Sequence, residues 1–141
     1  MELAVMAFTL VIIKPDGVER NLVGEILKRF EDKGLVISQL SLQLIDRTTA
    51  EKHYAEHVGR DYYDPLIDFI MRGPAVVAVL EGPENVVDLV RLMVGKTNPM
   101  DALPGTIRGD FASSTRENLV HASDSPESAA REISIFFPNF G

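Results

Sequence analysis

The chain of 141 residues is 45% hydrophobic and 25% charged, the composition of one globular domain rather than of a disordered or membrane-spanning chain, and long enough to fold around its own core. It contains no cysteine, which excludes a disulfide framework, Cys-ligated zinc, iron–sulfur clusters and thiol catalysis and agrees with a reducing, cytoplasmic setting. With 14 Lys and Arg against 21 Asp and Glu the net charge is −7, which repels nucleic acids and anionic membranes, so any anionic ligand must be held by a few local cations and backbone amides.

Residues 3–13 are apolar, but Glu2 stands where a signal peptide has its basic region, and the run is too short to span a bilayer. Residues 1–7 read as a short leader. Residues 8–13 form a β-branched apolar run stopped by Lys14-Pro15-Asp16-Gly17, which predicts a buried strand entering a turn. Leu22, Val23, Ile26, Leu27 and Phe30 recur at helical spacing, with Gly34 placed to close the helix after Lys33. Leu40, Leu42 and Leu44 alternate with Gln39, Ser41 and Gln43, the pattern of a half-buried strand. Thr48 and Glu51 make a capping box for a helix carrying His53, Tyr54 and His57. Leu66, Phe69 and Ile70 mark a second short helix, broken by Gly73-Pro74, and residues 75–80 read as another buried strand.

Val86, Val87, Val90 and Met93 predict an amphipathic helix ending near Gly95. Residues 96–117 then lack periodicity over a length at which connections in compact domains are usually functional or disordered. Ser125 with Pro126 caps a short helix, and Ile133, Ile135 and Phe137 alternate as a last strand. The order is βαββαβ, with helices inserted between the middle strands. It predicts an α/β (α+β) sandwich, ferredoxin-like, on a four-stranded antiparallel sheet.

Two suggestive patterns lack chemical content. Gly95-Lys96-Thr97 ends like a P-loop, but Val90 stands where the first glycine belongs, and the triplet follows a helix instead of preceding one. His53 and His57, four apart, have metal-ligand spacing but no obvious third ligand, so they read as a solvated helix face rather than a zinc site. Residues 104–110 and 118–125 differ in kind, because they gather proton-transfer and anion-binding groups outside the predicted elements. His121 lies just before a Ser-capped helix N-terminus, where free amides favour an incoming phosphate.

The I-K-P-D-G-V of residues 13–18, the G-T-I-R-G-D of residues 105–110, the N-L-V-H-A-S-D-S of residues 118–125 and the E-I-S-I-F-F of residues 132–137 stand in one register. In that register the chain resembles the nucleoside diphosphate kinase family over nearly its whole length, as one domain across residues 1–141. It departs at Ala122, where the family's commonest form has glycine, and at Tyr62, where the family usually has phenylalanine. The resemblance implies reversible transfer of the γ-phosphoryl group of a nucleoside triphosphate to His121, and from His121 to a nucleoside diphosphate, with broad base specificity. It implies Lys14, Arg91 and Arg108 on the phosphates with a hydroxyl from Thr97, Asn118 and Lys14 on the ribose, Tyr62 stacked on the base, and Tyr54 positioning His121. Glu132, read at the start of the last strand, accepts a hydrogen bond from the protonated ring nitrogen of His121 with Ser123 supporting it, which leaves Nδ1 to attack. Mg²⁺ is implied on the substrate phosphates, with no direct protein ligand and Asp124 reaching it through water. A homo-oligomer, tetramer or hexamer built from dimers, is implied as well.

Singly, these residues have plainer readings: Lys14 capping a strand end, Arg91 pairing with Asp88, Arg108 bridging to Asp110, Tyr62 anchoring a helix, Glu132 solvated. Two other functions use the same fold. A nucleotide-sensing module would keep the cations and the stacking aromatic but would not need His121, and an oligomeric scaffold would pass the phosphoryl group to protein partners. The joint presence of nucleophile, phosphate cations and ribose contacts favours the enzyme.

Overall fold

Strand β1 (Met6–Ile13) owes its place to an apolar run interrupted only by Thr9, and its last five residues are all buried. The computed structural model describes residues 6–140. In it β1 pairs antiparallel with β3 (Ala75–Pro83) on one side and β4 (Val120–Ala122) on the other, while β2 (Val36–Gln43) pairs antiparallel with β3. The order β2-β3-β1-β4 is that of the ferredoxin-like sheet. The central strands β1 and β3 are covered on both faces, which is why neither shows the alternation of a one-sided strand.

Successive side chains divide between two cores. Val11, Ile13, Val76, Ala78 and Leu80 face helices α2 (Val23–Asp32) and α5 (Val86–Val94), through Ile26, Phe30, Val90 and Val94. Leu10, Ile12, Val77 and Val79 face α3 (Arg47–His53), α4 (Tyr63–Ile70) and α7 (Pro126–Phe136), through Ala50, Ile67, Ile70, Ile133 and Phe136. As predicted, α3 and α4 are inserted between the middle strands.

Several expectations are corrected. Residues 132–137 are not a strand: they finish α7, where Ala129, Glu132, Ile133 and Phe136 form the buried stripe. That spacing is helical, and the alternation of Ile133, Ile135 and Phe137 is incidental to it. The fourth strand is instead the three-residue β4, too short to show any period. Residues 96–117 include a short helix, α6 (Ile107–Phe111), so the G-T-I-R-G-D segment is not outside regular structure, and His121 itself lies in β4. The cap of α3 is Asp46, which accepts a hydrogen bond from the Thr49 amide at 2.7 Å; a carboxylate N-cap two residues upstream displaces the Thr48 box. His53 is the last residue of α3, Tyr54 its C-cap, and His57 closes a 3₁₀ turn. Leu40 and Leu42 of β2 and Leu44 just after it are 54%, 66% and 71% exposed, because they stand on a face of the edge strand that neither core covers. Of the leader, Met6 and Ala7 belong to β1, and residues 1–5 lie outside the described residues.

Helix α1 (Pro15–Glu19) turns the chain directly off β1 and locks the site's two main segments together. The Lys14 amide donates to the Leu119 carbonyl at 2.8 Å, and buried Asp16 accepts from the Leu119 amide at 3.0 Å. Leu119 is thereby held at φ 78°, a conformation a bulky residue rarely adopts unless its surroundings enforce it. A Cβ on Gly17 would fall 2.8 Å from Ile13 Cγ2 and 3.2 Å from the Leu119 carbonyl oxygen, so the close approach requires glycine.

Candidate active site

Each functional side chain sits at the end of an element, and these ends converge on one cavity of about 600 Å³. Lys14 follows β1, Tyr54 caps α3, Tyr62 precedes α4, Arg91 projects from the last turn of α5, Arg108 from α6, and Asn118 and His121 come from β4 and its approach. Thr97, in the connection after α5, completes the wall, and Asp124 lies at the start of the turn into α7. The Gly95-Lys96-Thr97 triplet does follow a helix, so it is no P-loop.

His121 is half-buried and fixed from behind. Pairing of β4 with β1 sets it opposite Ile12, and its Nε2 lies 2.8 Å from Glu132 Oε1. Ser123 Oγ donates to the same oxygen at 2.7 Å. Burial opposes ionisation of Glu132, but the hydrogen bond and charge of His121 and the Ser123 hydroxyl outweigh it and hold the carboxyl below its ordinary value. An ionised carboxylate is acceptor-only, so Nε2 carries the ring proton and Nδ1 keeps its lone pair. Glu132 thus has the expected partner from an unexpected element: it reaches His121 from the buried stripe of α7, not from a strand.

The cavity reverses the sign of the whole chain. Lys14, Arg91, Arg108 and Arg116 line it against the single carboxylate of Asp124. Lys14 is buried and donates to Asn118 Oδ1, while Asn118 Nδ2 donates to the Thr97 carbonyl at 3.1 Å. Burial, then the Arg108 charge, bring the Lys14 ammonium down to about 8, so it remains charged at neutral pH. Arg108 donates to the carbonyls of Asn118, Gly95 and Val120 and does not bridge to Asp110, whose partner is Arg29 at 2.8 Å. It keeps one N–H on each terminal nitrogen for a ligand. Burial, then Arg91, lower its pKa to about 10. Arg91 is held by the Ala122 carbonyl at 3.2 Å, not by Asp88, and the Ala122 methyl packs within the core. Buried Tyr54 has its hydroxyl pushed above the ordinary phenol value by burial, then by the Glu132 charge, so it stays a neutral donor.

Every residue assigned from the sequence lines the cavity except Ser123 and Glu132, which stand behind His121. Sequence reasoning missed Arg116 and Thr115 on the cavity wall, His57, whose Nδ1 meets the Tyr62 hydroxyl at 2.8 Å, and the buried Asp16. Arg116 was findable as a cation two residues before the N-L-V-H segment. The His57 contact depends on a 3₁₀ turn that no periodicity announces. His53 is buried against His121 rather than solvated, their ring centroids 4.6 Å apart.

Cations gathered around a histidine with one nitrogen locked and the other free fit a class, the phosphotransferases that act on nucleotides. Residues 7–141 match the family model for nucleoside diphosphate kinase. A protein named nucleoside diphosphate kinase from Nocardioides sp. is 59% identical over 130 residues, covering 92% of this chain and 96% of that protein. One from Corynebacterium diphtheriae is 56% identical over 132 residues, covering 93% and 96%. Among solved structures, a halophilic nucleoside diphosphate kinase from Halobacterium salinarum in complex with CDP superposes with a TM-score of 0.92 at 41% identity, covering 96% of this chain and 90% of that one. The chain belongs to the nucleoside diphosphate kinase family, and its activity is that of a phosphotransferase moving the γ-phosphoryl group between nucleotides.

Proposed function

We propose that His121 carries the phosphoryl group and that the residues around the cavity hold the roles assigned from the sequence. The observation that carries this reading is the Ser123–Glu132–His121 chain at the edge of a basic cavity. Nδ1 attacks the γ-phosphorus, a P–N bond forms, the bond from the γ-phosphorus to the β-bridging oxygen breaks, and its electron pair leaves on the nucleoside diphosphate. A second diphosphate then attacks the phosphohistidine with a terminal oxygen, and the P–N bond breaks to restore His121. Such transfers proceed through loose transition states, so positioning and charge stabilisation supply most of the acceleration. Arg91, Arg108 and Lys14 supply the charge, Thr97 a hydroxyl, Lys14 and Asn118 hold the ribose, Tyr54 holds the γ-phosphoryl group against His121, and Glu132 stabilises the imidazole as its charge changes.

The donor set fits magnesium carried by the substrate and not a protein cage. One carboxylate, Asp124, faces the cavity among four cations, and its pKa is lowered chiefly by a hydrogen bond to Ser128. Mg²⁺ on the substrate would neutralise phosphate charge, and Asp124 is the carboxylate that would hold it, through water. Tyr62 offers its ring face to any base, which supports broad base specificity. The row of Leu40, Leu42 and Leu44 on the exposed edge supports a homo-oligomer, either a tetramer or a hexamer built from dimers. The acidic net charge argues against nucleic-acid or membrane partners, and among the described residues no helix is long and apolar enough to cross a membrane. We place the protein in the cytoplasm as one domain. The function is tested by incubation with γ-labelled ATP alone and then with unlabelled GDP. Label enters the protein in the first step and leaves as GTP in the second, whereas release as inorganic phosphate contradicts the reading.

A further inference from the structure

His53 has no role in the transfer described above, yet it is only 4% exposed and, among the described residues, neither of its ring nitrogens has a hydrogen-bond partner. Leaving both polar atoms of a buried imidazole unmet is costly and uncommon. Tyr54, His121 and Phe136 surround it edge-on, with centroids at 4.5, 4.6 and 5.5 Å. One ring nitrogen of His53, one of His121 and one carboxylate oxygen of Glu132 lie within 4.8 Å of one another. The His121 nitrogen facing Glu132 is Nε2.

We propose that His53, His121 and Glu132 form a site for a zinc-type divalent transition ion, and that metal bound there switches the enzyme off. Two imidazoles and a carboxylate are a zinc donor set, whereas Mg²⁺ prefers oxygen ligands and keeps its water. Zinc–ligand bonds of about 2.0–2.2 Å in a tetrahedron separate ligand atoms by roughly 3.3–3.5 Å. The widest pair, up to 4.8 Å apart, must therefore close by as much as about 1.5 Å, and the Nε2–Oε1 pair, now 2.8 Å apart, must open by about 0.6 Å. Ser123 Oγ shares Oε1, and Arg131 lies 3.6 Å from Oε2, so the carboxylate is oriented without being used up. Burial, then the His121 charge, bring His53 down to about 3, so it is neutral and able to ligate. Of the three ligands His121 lines the cavity, and His53 and Glu132 are buried beside it.

A neutral imidazole has one ring proton. With Nε2 on the metal that proton resides on Nδ1, and the lone pair that attacks phosphorus is lost. Binding stands on the geometry alone; inhibition rests on the reading of His121 as a nucleophile through Nδ1.

The test is titration of nucleotide-free, magnesium-free protein with Zn²⁺, followed by calorimetry and by ¹⁵N-histidine NMR. One ion per chain binds, the ring nitrogens of His53 and His121 shift together, and the His121 proton moves from Nε2 to Nδ1. His53→Phe keeps the aromatic packing and weakens zinc binding at least about tenfold, as loss of a ligand requires. Unmoved His53 and His121 resonances at zinc saturation overturn the proposal, as does unchanged affinity in His53→Phe. The wild-type spectra carry the test if the variant does not fold. Phosphorylation from γ-labelled ATP in zinc-free buffer is measured separately, so a failed zinc site and a failed phosphohistidine give different results.

Discussion

Glu132→Ala tests the proposed role of Glu132 in setting the chemistry of His121. The substitution removes the acceptor 2.8 Å from Nε2, a hydrogen bond to a buried, ionised carboxylate. Bonds of that kind contribute about 1.5–3 kcal/mol, and if all of it stabilises the imidazole as it takes up phosphorus the phosphorylation rate falls roughly 10- to 150-fold. The fold should survive, because the Ser123 hydroxyl has a second acceptor in the Leu10 carbonyl at 3.3 Å. Glu132→Gln keeps an acceptor oxygen but loses the charge, so its loss is nearer fivefold, about 1 kcal/mol. Stopped-flow phosphorylation by ATP, with circular dichroism to confirm folding and His121→Ala as the blank, measures all three. A wild-type rate in folded Glu132→Ala refutes the reasoning.

The Lys14 pKa, brought to about 8 by burial and Arg108, is raised again by a phosphate, so diphosphate affinity is highest below pH 8 and falls as pH rises through that value. Calorimetry at pH 8.5 should then show proton uptake as an enthalpy that depends on the buffer. His53 is held neutral to about pH 3 while the unfolded chain protonates near 6.5. Stability is therefore full above pH 6.5 and drops by about 2 kcal/mol from pH 6.5 to 5, about 1.4 kcal/mol per unit. Denaturant melts in the presence of chelator should show this slope, and it should flatten in His53→Phe. Tyr62→Ala should weaken GDP and CDP alike. Tyr62→Phe loses only the exposed bond to His57, so it should stay within about threefold of wild type.

The central strands were legible because burial on both faces writes itself as continuous apolar runs, and α2 and α5 because each buries one stripe. The start of the final helix was legible at Ser125-Pro126 but its length was not: Ile133, Ile135 and Phe137 match a strand period, and only the burial of Ala129 and Glu132 on the same stripe reveals that the helix runs on. The side of β2 that faces outward was equally hidden, since alternation reports two faces without saying which is covered. The motifs gathered distant segments whose residues the structure brings to one cavity, but the locks between them were not legible. Asp16 holding Leu119 and Asn118 bridging Lys14 to Thr97 join segments far apart in the chain, and no local pattern announces them.

The central claim is that the phosphoryl group rests on one nitrogen of one histidine. Protein labelled from γ-phosphate and kept at alkaline pH, where phosphohistidine survives, should give a single ¹⁵N–³¹P coupled signal from Nδ1 of His121 while Nε2 stays protonated against Glu132. Phosphate on Nε2, on another residue, or retained in His121→Ala contradicts the account.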